Sequence, residues 1–268
     1  MLLDLIPRML IGGTLAGVAA GYASRRGQLT LGGEYTAFAV GTAAAVGGIG
    51  WLVALAAFFY GSVSLTRWRA GVKRRRSRST LPDARARDAW QVLANGGLFA
   101  VSSLVWAFTG RVEVGLFGFG ALAAATADTW ATEVGMAMHA APRSIVGFSR
   151  VPPGTSGGVT LFGSAAALAG ALLLALCAMA SLTTPFDVSG MQAVFLGGAA
   201  GAFADSLLGA SLQSRRWCDT CAAWTERRVH TCGYRSHHRH GISWMSNDVV
   251  NLLATGVGGA TAVAAWHA

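Results

Sequence analysis

Residues 157–182 read GGVTLFGSAAALAGALLLALCAMASL and carry no charged side chain. A helix needs about 20 predominantly apolar residues to cross the hydrocarbon core of a bilayer, so this stretch predicts a transmembrane helix. We therefore predict an all-α fold, a polytopic transmembrane helical bundle of about seven spans (six to eight), forming a single domain over residues 1–268. The other apolar stretches lie at 9–23, 35–66, 89–109, 112–138, 188–213 and 245–266.

The composition supports a membrane protein over the whole chain. Of the 268 residues, 53% are hydrophobic and only 12% are charged, whereas soluble domains carry about 25% charged residues. This balance excludes a soluble β-sandwich, a disordered chain and a secreted disulfide scaffold. The net charge is +9. The positions of the Lys and Arg residues along the chain matter more than this total, because they set the orientation of membrane proteins.

The stretch 35–66 is too long for one straight spanning helix and short for two. Gly47, Gly48 and Gly50 lie at its middle. We interpret it as one bent or broken helix, and the alternative is a re-entrant pair.

Basic residues cluster between the apolar stretches. Residues 67–78 read RWRAGVKRRRSR, and we predict that 67–88 form a basic cytoplasmic loop because cytoplasmic loops are enriched in Lys and Arg. Alternation then places 139–156 and 214–244 in the cytoplasm as well. We expect the protein in the plasma (inner) membrane, with the basic loop contacting anionic membrane lipid and no nucleic acid. With a single span over 35–66, Arg25 and Arg26 would fall on the opposite side.

Acidic residues lie within or at the ends of apolar stretches, among them Glu133 and the three aspartates Asp128, Asp205 and Asp248. A charged side chain at mid-bilayer costs about 2.5–3.5 kcal/mol on insertion scales, so such residues are paired, metal-bound or facing water. The predicted topology places all three at the cytoplasmic end, together with the amides of Asn95, Asn247 and Asn251. Because carboxylate and amide oxygens suit Mg²⁺, we predict one Mg²⁺ site formed by the three Asp residues. The alternative is snorkelling or interhelical hydrogen bonding, which we prefer for Glu133.

A glycine-rich loop opens the predicted helix 157–182. Backbone N–H groups at a helix N-terminus form a general anion site, and Arg143 could contact the same anion. We expect this loop to bind nucleotide phosphates, and a plain helix-capping turn is the alternative. The candidate phosphate-binding residues are Gly154, Thr155, Ser156, Gly157 and Gly158.

The segment 214–244, between the last two helices, is a Cys/His loop. Cys218 and Cys221 are followed by His230 and Cys232. In a reducing cytoplasm a CxxC followed by HxC predicts a structural Cys₃His zinc site. Unliganded thiols or a redox pair are the alternative.

These motifs together resemble a family of integral membrane proteins of unknown function (DUF92-type), which includes the plant phytyl-phosphate kinase and animal transmembrane protein 19. The resemblance extends from about residue 30 onward. The motifs that carry it are FF at 58–59, QVLANG at 91–96, ADTWATEVG at 127–135, PRSI at 142–145, VPPGTSGGVT at 151–160, DSLLGASLQ at 205–213 and NDVVN at 247–251.

The resemblance implies transfer of a phosphoryl group from a nucleoside triphosphate, CTP in the plant case, to an isoprenyl monophosphate such as phytyl phosphate. The implied product is the diphosphate. On this interpretation Asp128, Asp205 and Asp248 hold Mg²⁺, Arg143 and the 154–158 loop hold phosphates, and Asn95, Asn247 and Asn251 orient phosphate or metal-bound water. Such a kinase would act on lipid at the cytoplasmic face.

A transporter or flippase of a lipid phosphate or small anion is the alternative function, since transporters also use intramembrane acids and broken helices. Its polar residues would reach the midplane from both sides. A third class, a non-catalytic scaffold with a partner-binding zinc loop, leaves the intramembrane acids unexplained.

Overall fold

The computed structural model describes residues 2–77, 86–181, 186–226, 228–230 and 232–268. Among these residues six helices are long and apolar enough to cross a membrane, namely α1, α3, α5, α7, α8 and α9, which confirms the all-α membrane bundle. The helices are α1 (Leu2–Arg25), α2 (Leu31–Gly47), α3 (Ile49–Arg67), α4 (Ala70–Ser77), α5 (Ala89–Thr109), α6 (Val112–Ala137), α7 (Leu161–Met179), α8 (Val188–Ser211) and α9 (Asn247–Trp266). The strands are β1 (Arg143–Ser144), β2 (Gly158–Val159), β3 (Arg215–Cys218), β4 (Ala223–Thr225) and β5 (His237–His240).

Helix α6 is the centre of the bundle, and α3, α5, α7, α8 and α9 all pack against it. Small residues allow this close packing, as is usual between membrane helices. A β-carbon placed on Gly120 would lie 2.8 Å from the carbonyl oxygen of Gly258 in α9. One placed on Gly201 in α8 would lie 2.3 Å from the β-carbon of Ala124. The helix backbones therefore approach too closely at these points for any larger residue.

An aromatic cluster joins α3 and α5 to the central helix. The ring of Trp51 lies 4.9 Å from that of Phe99 and 4.9 Å from that of Phe119, measured between centroids. All three side chains are fully buried. Their burial fixes the N-terminal part of α3 against α5 and α6.

The stretch predicted as one bent or broken helix is two helices, with the break at Gly48. Gly48 has φ 117° and ψ 177°, a conformation that is essentially restricted to glycine. It serves both as the C-cap of α2 and as the N-cap of α3. The location of the break agrees with the glycine cluster in the sequence.

The two halves run in opposite directions. The start of α2 lies at the start of α5, where the backbone N–H of Thr30 donates to the carbonyl oxygen of Arg87 at 3.0 Å. The end of α3 lies near the end of α6, where the Thr66 hydroxyl donates to Glu133 at 2.6 Å. Because α5 begins and α6 ends at the same end of the bundle, the interpretation of 35–66 as a single span is wrong and the alternative pair describes it.

This reversal changes the distribution of charge. Arg25 and Arg26 directly precede the turn into α2, so they lie at the same end as the basic segment after α3. The predicted loop 67–88 contains helix α4, and its residues 78–85 lie outside the described part of the chain. We call the end of the bundle that carries Arg25, α4 and the Cys/His loop the basic end.

Candidate functional site

Two carboxyl groups meet between the central helix and α8. Asp128 of α6 and Asp205 of α8 interact directly through their side chains, because the contact of Gly201 with Ala124 draws the two helices together. The Oδ2 atom of Asp205 is buried and has no hydrogen-bond partner among the described residues. Buried carboxylate oxygens are normally satisfied, so an unsatisfied one beside a second carboxyl group fits a bound cation or a shared proton.

Further acids extend this pair toward the basic end. Asp248 lies in the first turn of α9, whose N-cap Ser246 accepts a hydrogen bond from the N–H of Val249. Glu226, which follows β4 in the Cys/His loop, lies within electrostatic range of both Asp205 and Asp248. Asp88, the N-cap residue of α5, lies within electrostatic range of Asp248. We call these residues the acidic cluster: Asp88, Asp128, Asp205, Glu226 and Asp248.

Glu226 was not predicted as a site residue. It belongs to the Cys/His loop, whose sequence pattern predicts only a zinc site, and only the fold brings it to the acids of the helices. Its Oε1 accepts hydrogen bonds from Ser156 Oγ at 3.2 Å and from Gln213 Nε2 at 2.7 Å. Gln213 is 2% exposed. Glu226 therefore joins the glycine-rich loop to the end of α8.

The glycine-rich loop packs on the same end of α8. A β-carbon on Gly157, which has φ +73°, would lie 2.5 Å from the amide nitrogen of Ala210. Two N–H groups of the loop are used internally, since Thr155 donates to Pro152 at 3.2 Å and Gly158 donates to Thr155 at 2.9 Å. The structure therefore shows a folded loop held against α8 beside the acidic cluster.

The beginning of α7 is a capped helix end. The Thr160 side chain accepts a hydrogen bond from the N–H of Gly163 at 3.0 Å, as the plain capping alternative expected. Arg143 lies in β1, is exposed, and donates to the carbonyl oxygen of Phe148 at 2.9 Å. Arg215 lies within electrostatic range of Glu226, and its guanidinium donates to the carbonyl oxygens of Ser156 at 2.7 Å and Gly209 at 3.3 Å.

The three predicted amides lie within the first two turns of two helices. Asn95 in α5 donates to the carbonyl oxygen of Gln91 at 2.8 Å, within its own helix. Asn247 is exposed at the first position of α9, and Asn251 lies one turn further. Asn247 and Asn251 therefore flank Asp248, whereas Asn95 lies on the neighbouring helix.

Glu133 belongs to a separate structural contact. Its carboxylate forms an ion pair with Lys73 of α4, whose side chain is 12% exposed, and accepts the hydrogen bond from Thr66. Lys73 also donates to the carbonyl oxygens of Leu65 and Thr66. The interpretation of Glu133 as a helix-end contact is confirmed.

An apolar cavity of about 460 Å³ lies between α1, α2, α3 and α5. Its walls are aliphatic and aromatic, and the polar side chains of Arg87, Gln91 and Asn95 lie at the start of α5. Burial lowers the pKa of Arg87, and nearby Glu133 opposes this shift. The volume of the cavity falls within the range of about 300–1,000 Å³ that is typical of ligand pockets.

The Cys/His loop brings its four predicted zinc ligands together. The ligand atoms of Cys218, Cys221, His230 and Cys232 all lie within 4.8 Å of one another. Hydrogen bonds from the backbone of Tyr234 and from His230 lower the pKa of Cys232 to about 6. The hydrogen bond with Cys232 is the largest cause that raises the pKa of Cys221 to about 11.

These features define a class of protein: a helical integral membrane protein with an acidic cluster inside one end of its bundle. Residues 14–259 match the family described as integral membrane protein DUF92. The chain belongs to this family.

Two relatives cover most of the chain. It is 30% identical over 218 residues to uncharacterized membrane protein MJ0933 of Methanocaldococcus jannaschii, a match that covers 79% of this chain and 74% of the relative. It is 29% identical over 270 residues to Protein PGR of Arabidopsis thaliana, with 92% of each chain covered. No solved structure matches the chain.

Proposed function

We propose that this protein is a membrane-embedded kinase that transfers the γ-phosphoryl group of CTP to an isoprenyl monophosphate. The observation that carries the proposal is the direct pair of Asp128 and Asp205, with its unsatisfied buried oxygen, at the basic end of the bundle. A prenyl phosphate carries its chain in lipid and its headgroup at the membrane surface. Its headgroup and a water-soluble nucleotide therefore meet at the end of the bundle, where this pair lies.

The reaction needs charge neutralisation and alignment more than covalent chemistry on the protein. An oxygen of the prenyl monophosphate forms a bond to the γ-phosphorus of CTP. The bond from that phosphorus to the β–γ bridging oxygen breaks, and CDP leaves with the electron pair. The products are the prenyl diphosphate and CDP.

The acidic cluster fits a divalent cation. Asp128 and Asp205 would hold Mg²⁺, with Asp248 nearby in α9, and carboxylate oxygens are the ligands this ion prefers. The ion supplies charge neutralisation between phosphate groups. Asp128 and Asp205 thereby create a requirement for a counter-ion inside an otherwise apolar bundle.

In this proposal the groups around the acid pair bind the phosphates of the nucleotide. The 154–158 loop and Arg143 bind nucleotide phosphates, and Asn247 and Asn251 orient them from the first turns of α9. Because two loop N–H groups are already used internally, binding relies on the remaining N–H groups and on the Ser156 hydroxyl.

In this proposal the isoprenoid chain of the substrate binds in the apolar cavity. Its walls are hydrocarbon, and Arg87 and Asn95 lie where the phosphate would emerge. Helix α5 also packs against α9, and its N-cap Asp88 lies within electrostatic range of Asp248, so the start of α5 adjoins both the cavity and the acidic cluster. The cavity therefore suits an isoprenoid tail and the start of α5 suits its phosphate.

The test is a label-transfer assay in detergent with Mg²⁺, a panel of prenyl monophosphates, and CTP labelled at either the α- or the γ-phosphate. We expect the γ label in the lipid product. Appearance of the α label would instead make the protein a cytidylyltransferase. If folded protein transfers no label from CTP, UTP or ATP, the proposed kinase activity is overturned. The transporter alternative would then be tested by uptake into liposomes.

Two isosteric variants test the acid pair. Asp128→Asn and Asp205→Asn should each lower kcat by at least about 100-fold, because each removes a carboxylate that would hold the Mg²⁺ ion on which neutralisation of the phosphates depends. Glu113→Gln is the matched control, since Glu113 lies at the opposite end of α6 in an exposed pair with Arg111. Equal activity of either Asn variant and the control would reject the assignment.

A further inference from the structure

We infer that Cys218, Cys221, His230 and Cys232 bind one Zn²⁺ ion, and that this ion fixes the sheet that carries Glu226 to the acidic cluster. The zinc site itself is independent of the proposed kinase activity.

The geometry of the four ligands fits one tetrahedral ion. Two thiolates bound to one zinc at about 2.3 Å each lie about 3.8 Å apart, and the Sγ atoms of Cys218 and Cys232 are 3.6 Å apart. The Nδ1 atom of His230 lies 3.1 Å from Cys232 Sγ. A disulfide would need about 2.05 Å between sulfurs, and all the cysteines here are free.

The sheet around the ligands is small. Its side-chain contacts besides the ligands include the rings of Trp217 and Trp224, whose centroids are 5.2 Å apart, and a hydrogen bond from Arg216 to the Ser236 hydroxyl at 2.9 Å. Strands β3, β4 and β5 contain four, three and four residues, and every residue of β5 is exposed. Cys218 is the only fully buried residue of β3. A module this small needs a crosslink or a metal to fold, and structural zinc supplies folding free energy directly.

The same sheet is attached to the candidate site through two residues, Arg215 and Glu226, which form four hydrogen bonds. Arg215, the first residue of β3, donates to the carbonyl oxygens of Ser156 and Gly209. Glu226 directly follows β4 and accepts from Ser156 and Gln213. Cys218 ends β3, and Cys221 lies in the turn that precedes β4. A metal that closes this turn therefore fixes the two strands that present Arg215 and Glu226.

The first experiment measures metal directly. Protein purified in detergent without chelators should contain about one zinc per chain by elemental analysis. Replacement by Co²⁺ should give the visible bands of a tetrahedral site with thiolate charge transfer. Cys218→Ser and Cys232→Ser should lose zinc, whereas Cys177→Ser should keep it, because Cys177 lies in α7 and remote from the cluster.

Two measurements keep the inference falsifiable if the ligand variants fail to fold. Titration of the wild-type protein with a mercurial should release zinc in step with thiol modification. Zinc below about 0.1 per chain with three or four reactive thiols, or loss of two thiols to a disulfide, would overturn the inference. Zinc that persists at full occupancy after all thiols react would also overturn it.

Hydrogen exchange tests the link to the acidic cluster without using activity. Chelation of zinc should increase exchange at least tenfold in residues 154–158 and 206–213, and leave α6 residues 115–127 unchanged. The same result is expected whether or not the protein is a kinase. Unchanged exchange in the 154–158 loop after zinc removal would show that the metal does not fix the site.

Discussion

The functional significance of Asp205 depends on the residues around it. An isolated acid in an apolar helix is expensive, but Asp205 also faces Asp128 and Glu226, and one of its oxygens lacks a partner among the described residues. Asp128 and Asp205 together in an apolar bundle, with the exposed Glu226 adding further charge, are destabilising unless a cation or protons compensate them. This residue-scale imbalance is the strongest sign of function in the molecule.

Glu133 shows the opposite case, an acid that is satisfied within the protein. We expect Lys73→Met to lower the free energy of unfolding by about 1–3 kcal/mol, because it leaves the Glu133 carboxylate half-buried without its charged partner. Thermal unfolding in detergent measures the effect. Arg111→Met, which removes an exposed pair with Glu113, should cost less than about 0.5 kcal/mol.

The double variant Lys73→Met with Glu133→Gln provides the internal check on this pair. It should recover part of the lost stability, since no uncompensated charge remains. A double variant less stable than Lys73→Met alone would contradict the ion-pair explanation.

Gly157 is the residue on which the packing of the glycine-rich loop depends. In Gly157→Ala the new β-carbon would lie 2.4 Å from that of Ala210 and 2.5 Å from the Ser206 carbonyl oxygen. We expect the loop to leave α8, with a loss of several kcal/mol and of any activity of the site. Unfolding and label transfer are the measurements.

A matched glycine separates packing from backbone strain. Gly147 has φ +78° but nothing within 4 Å of its would-be β-carbon. Gly147→Ala should therefore cost only the left-handed penalty of about 1–2 kcal/mol and keep activity. Equal effects of the two substitutions would show that strain alone is responsible.

At the scale of elements, the antiparallel pair α2 and α3 makes room for the apolar cavity. The two helices diverge from Gly48 toward the basic end, and α1 and α5 close the space between them. A single straight helix over 35–66 would leave no such space. The glycine break therefore decides both the span count and the presence of the cavity.

Filling the cavity should change substrate preference if it holds the isoprenoid chain. We expect Val92→Trp to lower kcat/KM for long-chain prenyl phosphates at least tenfold, with a smaller effect on short chains, because the indole occupies the chain's volume. Val53→Trp is the control, since Val53 lines a second apolar groove between α3 and α7. Identical chain-length profiles in both variants would exclude the cavity as the chain site.

For the whole molecule, the structure places both flanks of the α2–α3 pair at the basic end. Because cytoplasmic loops are enriched in Lys and Arg, we expect the basic end to face the cytoplasm. An impermeant maleimide added to intact cells should then label Thr109→Cys, at the end of α5, and should not label Gly27→Cys, in the turn before α2. Both positions are exposed. Labelling of both Thr109→Cys and Gly27→Cys in intact cells would restore the single span and contradict the arrangement described here.

The sequence by itself determined the membrane environment, the helical class, most helix positions and the residue types of the site. These depend on local composition, because about 20 apolar residues satisfy the backbone within a single helix whatever surrounds them. It also predicted the zinc ligands, whose spacing is local.

Only the tertiary structure decided the direction of α3, the meeting of Asp128 with Asp205, and the arrival of Glu226 beside them. The glycine cluster indicated a break, but the turn at Gly48 reverses the chain because α3 finds its partners on α6. Glu226 and Asp205 are brought together by packing between elements distant in sequence. Such contacts depend on the shapes of whole helices and on the fold of the Cys/His loop, and no short stretch of sequence encodes them.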